Sequence, residues 1–368
     1  MSTMRRRNIC YFAGTAGNWG GASRVLFTNL RLLDRTRFAP IVLLSGHGPA
    51  EALLQSLDIP FEIWGPLTEP GRPLGYLRAV LRTFVWMWRR GVDLVHMNRA
   101  NDWRPAEILA MRLAGIPVIT HFHTVNVDHA PATRWSTTIA AVSNYVARHA
   151  DTQGIPTTVI HNTVDISRFA GGQDRRSSFG IGPDEVVVSF VGQIRQIKGL
   201  EDFVAMAKRI AGDRVHFMIA GECRDPNTMS DVYTQEQLQT MIAADPRIRY
   251  CGYIDQIEDI YRTSDIVVAP SRWQEPFGLV CIEAGIAGLP MVATRVGGIP
   301  EIIEDGENGM LVEAGDVLAL AEKVQRLVDN PALRESMGKT ARLRVERDFT
   351  DKPVRDLEAL YESLLQAS

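Results

Sequence analysis

No run of about 18 apolar residues occurs in this 368-residue sequence, so no segment reads as a helix that crosses a bilayer. Cysteine is scarce: Cys10, Cys223, Cys251 and Cys281 lie far apart and form no C-x-x-C pair. That spacing disfavours a zinc site or a disulfide framework and fits a reducing, cytoplasmic setting. An excess of one charge is also missing, with Lys+Arg 40 against Asp+Glu 43 and a formal net charge of −3. Phosphate-backbone binding needs a basic excess or a long basic stripe, so nucleic acid is not an expected partner. Low-complexity tracts and solenoid-length repeats are absent. The opening MSTMRRRNICYFAGTAG imitates a signal peptide, but Ile9 to Ala13 is too short for its apolar region. The same residues read as a buried first strand running into a glycine loop.

What is present is ordinary globular composition, 45% apolar and 23% charged, at a length suited to two domains. Short apolar runs alternate with helical patterns. The first set predicts strands at Ile9–Ala13, Ile41–Ser45, Phe61–Trp64, Leu94–Met97, Val118–His121, Ile139–Val142 and Val159–His161. The pattern then restarts at Val186–Val191, followed by Val215–Ala220, Arg249–Tyr250, Ile266–Ala269, Met291–Thr294 and Met310–Val312. Strands separated by helices indicate parallel sheets built from βαβ units. The polar, glycine-bearing stretch 171–176 is the linker candidate. Two doubly wound domains are expected, residues 1–168 and 169–349, with ligands at the carboxyl ends of the strands, in a cleft that the two sheets face. Three helical segments follow the last strand, at about 316–329, 332–347 and 351–366.

Two loops carry phosphate-binding chemistry. The first strand runs into GTAGNWGGASR, whose Gly20 and Gly21 stand where a helix starts. Free backbone N–H groups and the positive end of the helix dipole suit an anion there, although a plain tight turn has the same composition. The spacing is not G-x-G-x-x-G, and no acidic residue ends the second strand, so a dinucleotide site is not indicated. In the second half, Val191-Gly192-Gln193-Ile194-Arg195-Gln196-Ile197-Lys198 places two cations after a strand. Arg195 and Lys198 can neutralise a diphosphate there, or simply be solvated.

The densest cluster of chemistry is Glu275-Pro276-Phe277-Gly278-Leu279-Val280-Cys281-Ile282-Glu283. Pro276 suits the first helical position, which would put Glu275 at the cap and Glu283 on the same helix. Eight residues of helix separate the two carboxylates by roughly 12 Å. A glycosidase pair needs about 5–9.5 Å, so two-ended hydroxyl binding to an elongated ligand is favoured over hydrolysis.

These residues, in this order, resemble a known family. E-x7-E at Glu275 and Glu283, GGIPE at 297–301 and DGENGMLV at 305–312 are similar to motifs of retaining family-4 glycosyltransferases of the GT-B fold. GGASR at 20–24, THFHT at 120–124, AVSNYVA at 141–147, IHNTVD at 160–165 and DIVVAPS at 265–271 extend the resemblance from about residue 9 to the C-terminus. It implies an α/β fold of two Rossmann-like, doubly wound parallel-sheet domains, with the last helix, 350–368, packing back on the first.

The resemblance also implies roles. Glu283 would bind donor ribose hydroxyls and Glu275 hydroxyls of the transferred sugar. Backbone amides of Phe277, Gly278 and Leu279 would face the donor, and the nucleobase would pack near Gly252, Tyr253 and Ile254. Lys198 would meet the leaving diphosphate with help from the amides of Gly20 and Gly21, and His123 would lie near the donor sugar. Where the family usually has arginine this chain has Gln193, so Lys198, or Arg195 in substitution, must carry the charge. The implied reaction moves a sugar from a UDP- or GDP-sugar to a glycan, lipid-linked or small-molecule acceptor with retention. No carboxylate is placed as a nucleophile, and the departing phosphate would take the acceptor proton. No D-x-D motif ends a strand, so neither a metal nor another cofactor is expected; Lys198 and helix dipoles would serve instead. A nucleotide-sugar 2-epimerase or a catalytically silent donor-binding subunit are the alternatives.

Other segments carry duller readings. Gly297 and Gly298 can simply make a turn, Glu301 can favour a helix start, and Asn162 and Asp165 can shape the turn between domains. Arg99, Asn101 and Asp102, after the strand at Met97, form a candidate acceptor set. In residues 74–90, Leu77, Leu81, Phe84 and Trp88 share one helical face, while Arg78, Arg82 and Arg89 share another near Trp86. A core-packed helix with a solvated rim is the favoured reading, and peripheral contact with an anionic membrane the alternative.

Overall fold

The computed structural model describes residues 5–14, 20–65, 73–98, 104–125, 131–225, 227 and 229–367. The chain divides into two compact units, Met1–Thr163 with Asp351–Ser368, and Val164–Thr350.

In the first unit β1 (Arg7–Phe12), α1 (Gly21–Leu32), β2 (Phe38–Leu44), α2 (Ala50–Ser56) and β3 (Phe61–Ile63) form successive βα units. They continue through α3 (Pro73–Arg90), β4 (Leu94–Met97), α4 (Pro105–Leu113), β5 (Val118–Phe122), β6 (Thr138–Ala141), α5 (Asn144–His149) and β7 (Thr157–Val159). All seven strands pair in parallel in the order β3-β2-β1-β4-β5-β6-β7. Strands such as β4 and β5 are buried end to end, as sheets covered on both faces require. The order reverses at β1, which lies between β2 and β4, so loops leaving β1 and β4 diverge and open a crevice at their carboxyl ends.

The second unit begins with α6 (Ile166–Phe169), which Asp165 caps by accepting from the Ser167 amide at 2.9 Å. There follow β8 (Val186–Val191), α7 (Leu200–Ala207), β9 (Val215–Ala220), α8 (Gln235–Ile242), β10 (Ile248–Gly252), α9 (Ile257–Thr263) and β11 (Ile266–Ala269). The unit closes with α10 (Leu279–Ile286), β12 (Met291–Thr294), α11 (Ile299–Ile302), β13 (Met310–Val312), α12 (Val317–Asp329) and α13 (Pro331–Asp348). Its six parallel strands run β10-β9-β8-β11-β12-β13, reversing at β8. The linker candidate 171–176 is packed rather than free. The Gln173 amide donates to Asp259 at 2.8 Å, Arg175 pairs with Asp259, and Arg176 pairs with Asp265. The chain passes between units earlier, at Thr163 and Val164, instead of after residue 168.

The last helix, α14 (Asp351–Ala367), belongs to the first unit. Leu357 and Tyr361 enter the cluster of Ile9, Tyr11, Leu30, Phe38 and Leu44, and Glu358 accepts from the Asp34 amide and from Arg37.

Helix α3 departs from its favoured reading. Its inward residues are Ala79, Val80, Thr83 and Met87, with Tyr76 and Trp86 beside them. Leu77, Leu81, Phe84 and Trp88, the face assigned to the core, point outward. A helix with apolar residues on both sides satisfies its core contacts with either, and the smaller set fits against β4 and α4. The exposed tryptophan is Trp88; Trp86 packs on Trp64 and donates to Glu62 at 2.9 Å. No helix among the described residues is long and apolar enough to cross a membrane.

Candidate active site

In the second unit the expected residues gather where the strand order reverses, in the loops after β8 and β11. The segment after β8 makes a short 3-10 turn, Gln196–Lys198, whose residue Ile197 accepts from the Arg272 amide at 2.9 Å and from Ser271 Oγ at 3.1 Å. This zips the two loops together and brings Lys198 Nζ to 2.6 Å from Glu275 Oε1. The same carboxylate oxygen accepts from Ser271 Oγ at 2.7 Å, and the Lys198 ammonium lies 5.7 Å from the Trp273 ring centroid. Lysine and glutamate are both half-buried, so their charges are held in place while remaining reachable.

Glu275 is not at a helix cap, and Pro276 is not a first helical residue. Helix α10 starts only at Leu279, because Gly278 at its N-cap adopts φ 108°, a left-handed turn that ends the Glu275–Phe277 loop. The two glutamates therefore do not share one helix, and spacing along a helix does not set their separation. The loop is backed by the GGIPE segment: Gly298 N donates to Glu275 O at 2.8 Å and Gly297 N to Gln274 Oε1 at 2.7 Å. A Cβ on Gly297 would stand 1.9 Å from Glu275 O, at a backbone φ of 54°. The glycine pair does more than turn the chain; it lets one backbone lie directly against the other.

Glu283, on α10, is buried and accepts from Tyr261 Oη at 2.8 Å. Two residues before it, burial pushes the Cys281 thiol well up, with the Glu275 charge adding to the rise and that of Lys198 opposing it. A buried thiol of this kind is inert. The amides opening α10 have no side-chain cap, and its first turn holds no acidic residue, which suits an anion. The Phe277 ring is core, edge-on to Phe349 at 5.7 Å between centroids.

Arg195 is engaged. Its guanidinium grips Asp231 in a fork at 2.8–3.1 Å and donates to Gln193 Oε1 at 3.4 Å. Gly252 ends β10 and accepts from Gly221 N at 2.9 Å; Tyr253 beyond it is exposed and Ile254 packs on the core. No group of three metal-ligating side chains occurs among the described residues.

The first unit carries a second polar set at its own reversal point. Gly20 is the N-cap of α1, with no side-chain cap and no acidic residue in the first turn; its carbonyl accepts from the Ser23 and Arg24 amides, and the positive end of the helix dipole lies here. Buried Asn98, just after β4, donates to Ala22 O at 3.2 Å and accepts from His123 Nε2 at 3.2 Å. His123 stacks on His121 at 4.3 Å between ring centroids. Arg99, Asn101 and Asp102 lie outside the described residues.

Ser271, Tyr261, Asp231 and Asn98 were not singled out from the sequence. Ser271 closes the DIVVAPS motif, which gave a signal; the other three are recognisable only by what they touch.

Two Rossmann-like units, each a parallel sheet whose strand order reverses beside its first strand, make the GT-B fold. Residues 185–330 match the family described as glycosyl transferases group 1, and residues 19–168 match glycosyltransferase family 4. Together the matches span most of the chain, and the protein belongs to this family. It is similar to the lipopolysaccharide core biosynthesis mannosyltransferase LpsB of Rhizobium meliloti, 27% identical over 81% of this chain and 88% of that one. The fold is shared with a glycosyltransferase from Rickettsia africae, with a TM-score of 0.83, 21% identity, and 99% and 100% of the two chains covered. It is shared also with Anabaena HepE in complex with UDP and glucose, with a TM-score of 0.78, 22% identity, and 96% and 99% covered.

Proposed function

We propose that this glycosyltransferase moves a sugar from a UDP- or GDP-sugar to a glycan, lipid-linked or small-molecule acceptor, with retention and without a metal ion. The observation that carries the reading is the 2.6 Å pair of Lys198 and Glu275 beside the uncapped start of α10. A fixed ammonium and open helix amides favour negative charge, which develops on the diphosphate as the glycosidic bond breaks. Glu275, already aligned by Ser271, accepts from a sugar hydroxyl, and Glu283 accepts from ribose hydroxyls. The exposed Tyr253 ring, with Gly252 and Ile254, offers a surface for the base. In the first unit, His123 and the amides of Gly20 and Gly21 are suited to sugar and phosphate oxygens.

The electron pair of the C1–O bond leaves with the diphosphate. The acceptor oxygen then bonds to C1 from the same face, and its proton passes to a departing phosphate oxygen. The resemblance of HepE, solved with UDP and glucose, and of LpsB, a lipopolysaccharide core mannosyltransferase, favours a nucleoside diphosphate donor and a glycoconjugate acceptor.

Thermal shift against UDP-, GDP- and ADP-sugars tests the donor, since a true donor stabilises the fold by mass action. One nucleotide sugar should raise the melting temperature well above its bare nucleoside diphosphate. An equal response to all of them would refute sugar recognition. Product anomeric configuration by NMR, with and without EDTA, tests retention and metal independence.

A further inference from the structure

We propose that helix α3 is a docking face that lays the first unit on an anionic lipid bilayer. The helix is 18 residues long, about 27 Å, and its inner side is fully used in packing. On its outer side Leu74 (76% exposed), Leu77 (67%), Leu81 (63%) and Trp88 (76%) stand in solvent with Phe84 beside them. Their spacing of three and four residues makes one continuous stripe along the helix. An exposed apolar stripe of this length is uncommon on a surface that stays in water.

Charge says what covers it. Helix α3 contains no Asp or Glu and four arginines. Arg78, Arg82 and Arg89 each follow a stripe residue by one position, about 100° round the helix, and so form a ridge along one margin of the stripe. None of the three meets a carboxylate among the described residues; Arg82 lies 4.6 Å over the Trp64 ring, and only Arg90 is paired, with Glu62. An apolar stripe edged by cations fits a helix lying in the interface, with leucines and tryptophan among acyl chains and guanidinium groups at anionic headgroups. A second copy meeting this stripe with its own in an antiparallel pair would set two arginine ridges side by side, and in any pairing α3 offers no carboxylate to offset them.

Co-sedimentation of the full chain with phosphatidylcholine vesicles, with and without phosphatidylglycerol, tests this. Binding is expected to the anionic vesicles, to weaken as salt is raised, and to be weak on neutral ones. Replacing Leu81→Ser with Trp88→Ser should abolish it. Arg78→Gln with Arg89→Gln should lower it about 30-fold, at roughly tenfold per 1.4 kcal/mol and ~1 kcal/mol per arginine. The altered side chains are exposed, so donor-induced thermal shifts should match those of the unaltered chain, which separates this proposal from the donor assignment. Equal binding to both vesicles, binding indifferent to both double variants, or no binding would overturn it. So would a dimer in solution that the stripe variant dissociates.

Discussion

Tyr361 Oη sits 2.6 Å from His96 Nδ1, tying the last helix of the chain to the middle of the first sheet across 265 residues. The same hydroxyl lies 3.0 Å from Tyr11 Oη, and His96 Nε2 lies 3.2 Å from His121 Nδ1. A buried polar line thus runs from α14 through β1 and β4 to His121 of β5, and His123 follows directly after the strand's last residue, Phe122. The C-terminal helix is part of the core that supports this histidine.

Removing one hydroxyl tests how much that line contributes. Tyr361→Phe keeps the ring and its packing against Phe38 but removes the partner of His96 Nδ1 and of Tyr11 Oη. An unsatisfied buried group costs about 1–3 kcal/mol, so the first unit should lose stability of that order in urea denaturation. Leu357→Ala, which empties core volume beside it, should cost about 2–5 kcal/mol.

The same line makes stability fall in mild acid. Burial holds the His121 pKa at about 4, below its ordinary 6.5, and His96 is lowered by burial and by His121. Above pH 6.5 both folded and unfolded His121 are neutral and the shift contributes nothing. As pH falls from 6.5 to 4 the unfolded chain takes up a proton that the folded chain refuses, which costs up to ~3 kcal/mol; below about 4 the loss levels off. Denaturant unfolding of the first unit from pH 7 to pH 4 should therefore be flatter for His121→Asn than for the unaltered chain.

Much of this was legible in the sequence, for stated reasons. Strands β4, β8, β9, β11, β12 and β13 coincide with their predicted bounds because each is a short apolar run between turn residues. Lys198, Glu275 and the GGIPE glycines, which lie together in the second unit, could be named as a group because ordered motifs carry their own spacing. The orientation of α3 was not legible, since Tyr76, Val80 and Met87 offer one apolar side while Leu77, Leu81 and Trp88 offer another. Partners distant along the chain left no signal: Asp231 for Arg195, Tyr261 for Glu283, Tyr361 for His96. The segment 171–176 looked like a linker because polarity reads alike in a solvated loop and in a loop stapled by ion pairs.

Gly297 is where backbone conformation and site geometry meet. In Gly297→Ala the new Cβ would collide with Glu275 O and the residue would hold a left-handed φ, a combined cost of about 2–4 kcal/mol. Gly306→Ala shares only the left-handed φ, with nothing within 4 Å, and should cost about 1–2 kcal/mol. Urea unfolding of the second unit should separate the two variants. Donor-dependent release of nucleoside diphosphate should fall in Gly297→Ala alone, because only there is the Glu275 loop displaced.

In the proposed reaction, Gln193 stands where the resemblance leads one to expect arginine, which leaves Lys198 and Arg195 as the candidate cations for the leaving group, and their partners tell them apart. Arg195 already spends its planar fork on Asp231, and freeing it would leave a half-buried carboxylate unpaired. Lys198 shares Glu275 with Ser271, and that carboxylate keeps a hydrogen bond if the lysine turns to a phosphate. Lys198→Ala should then slow nucleoside diphosphate release by about 100-fold or more, in the range for loss of one fixed transition-state donor, with a smaller change in donor-induced thermal shift. Arg195→Ala should cost about 1 kcal/mol of stability as a lost, partly exposed ion pair and leave turnover within about tenfold. If the two variants exchange these outcomes, Arg195 rather than Lys198 neutralises the diphosphate, and the Asp231 pair must open when donor binds.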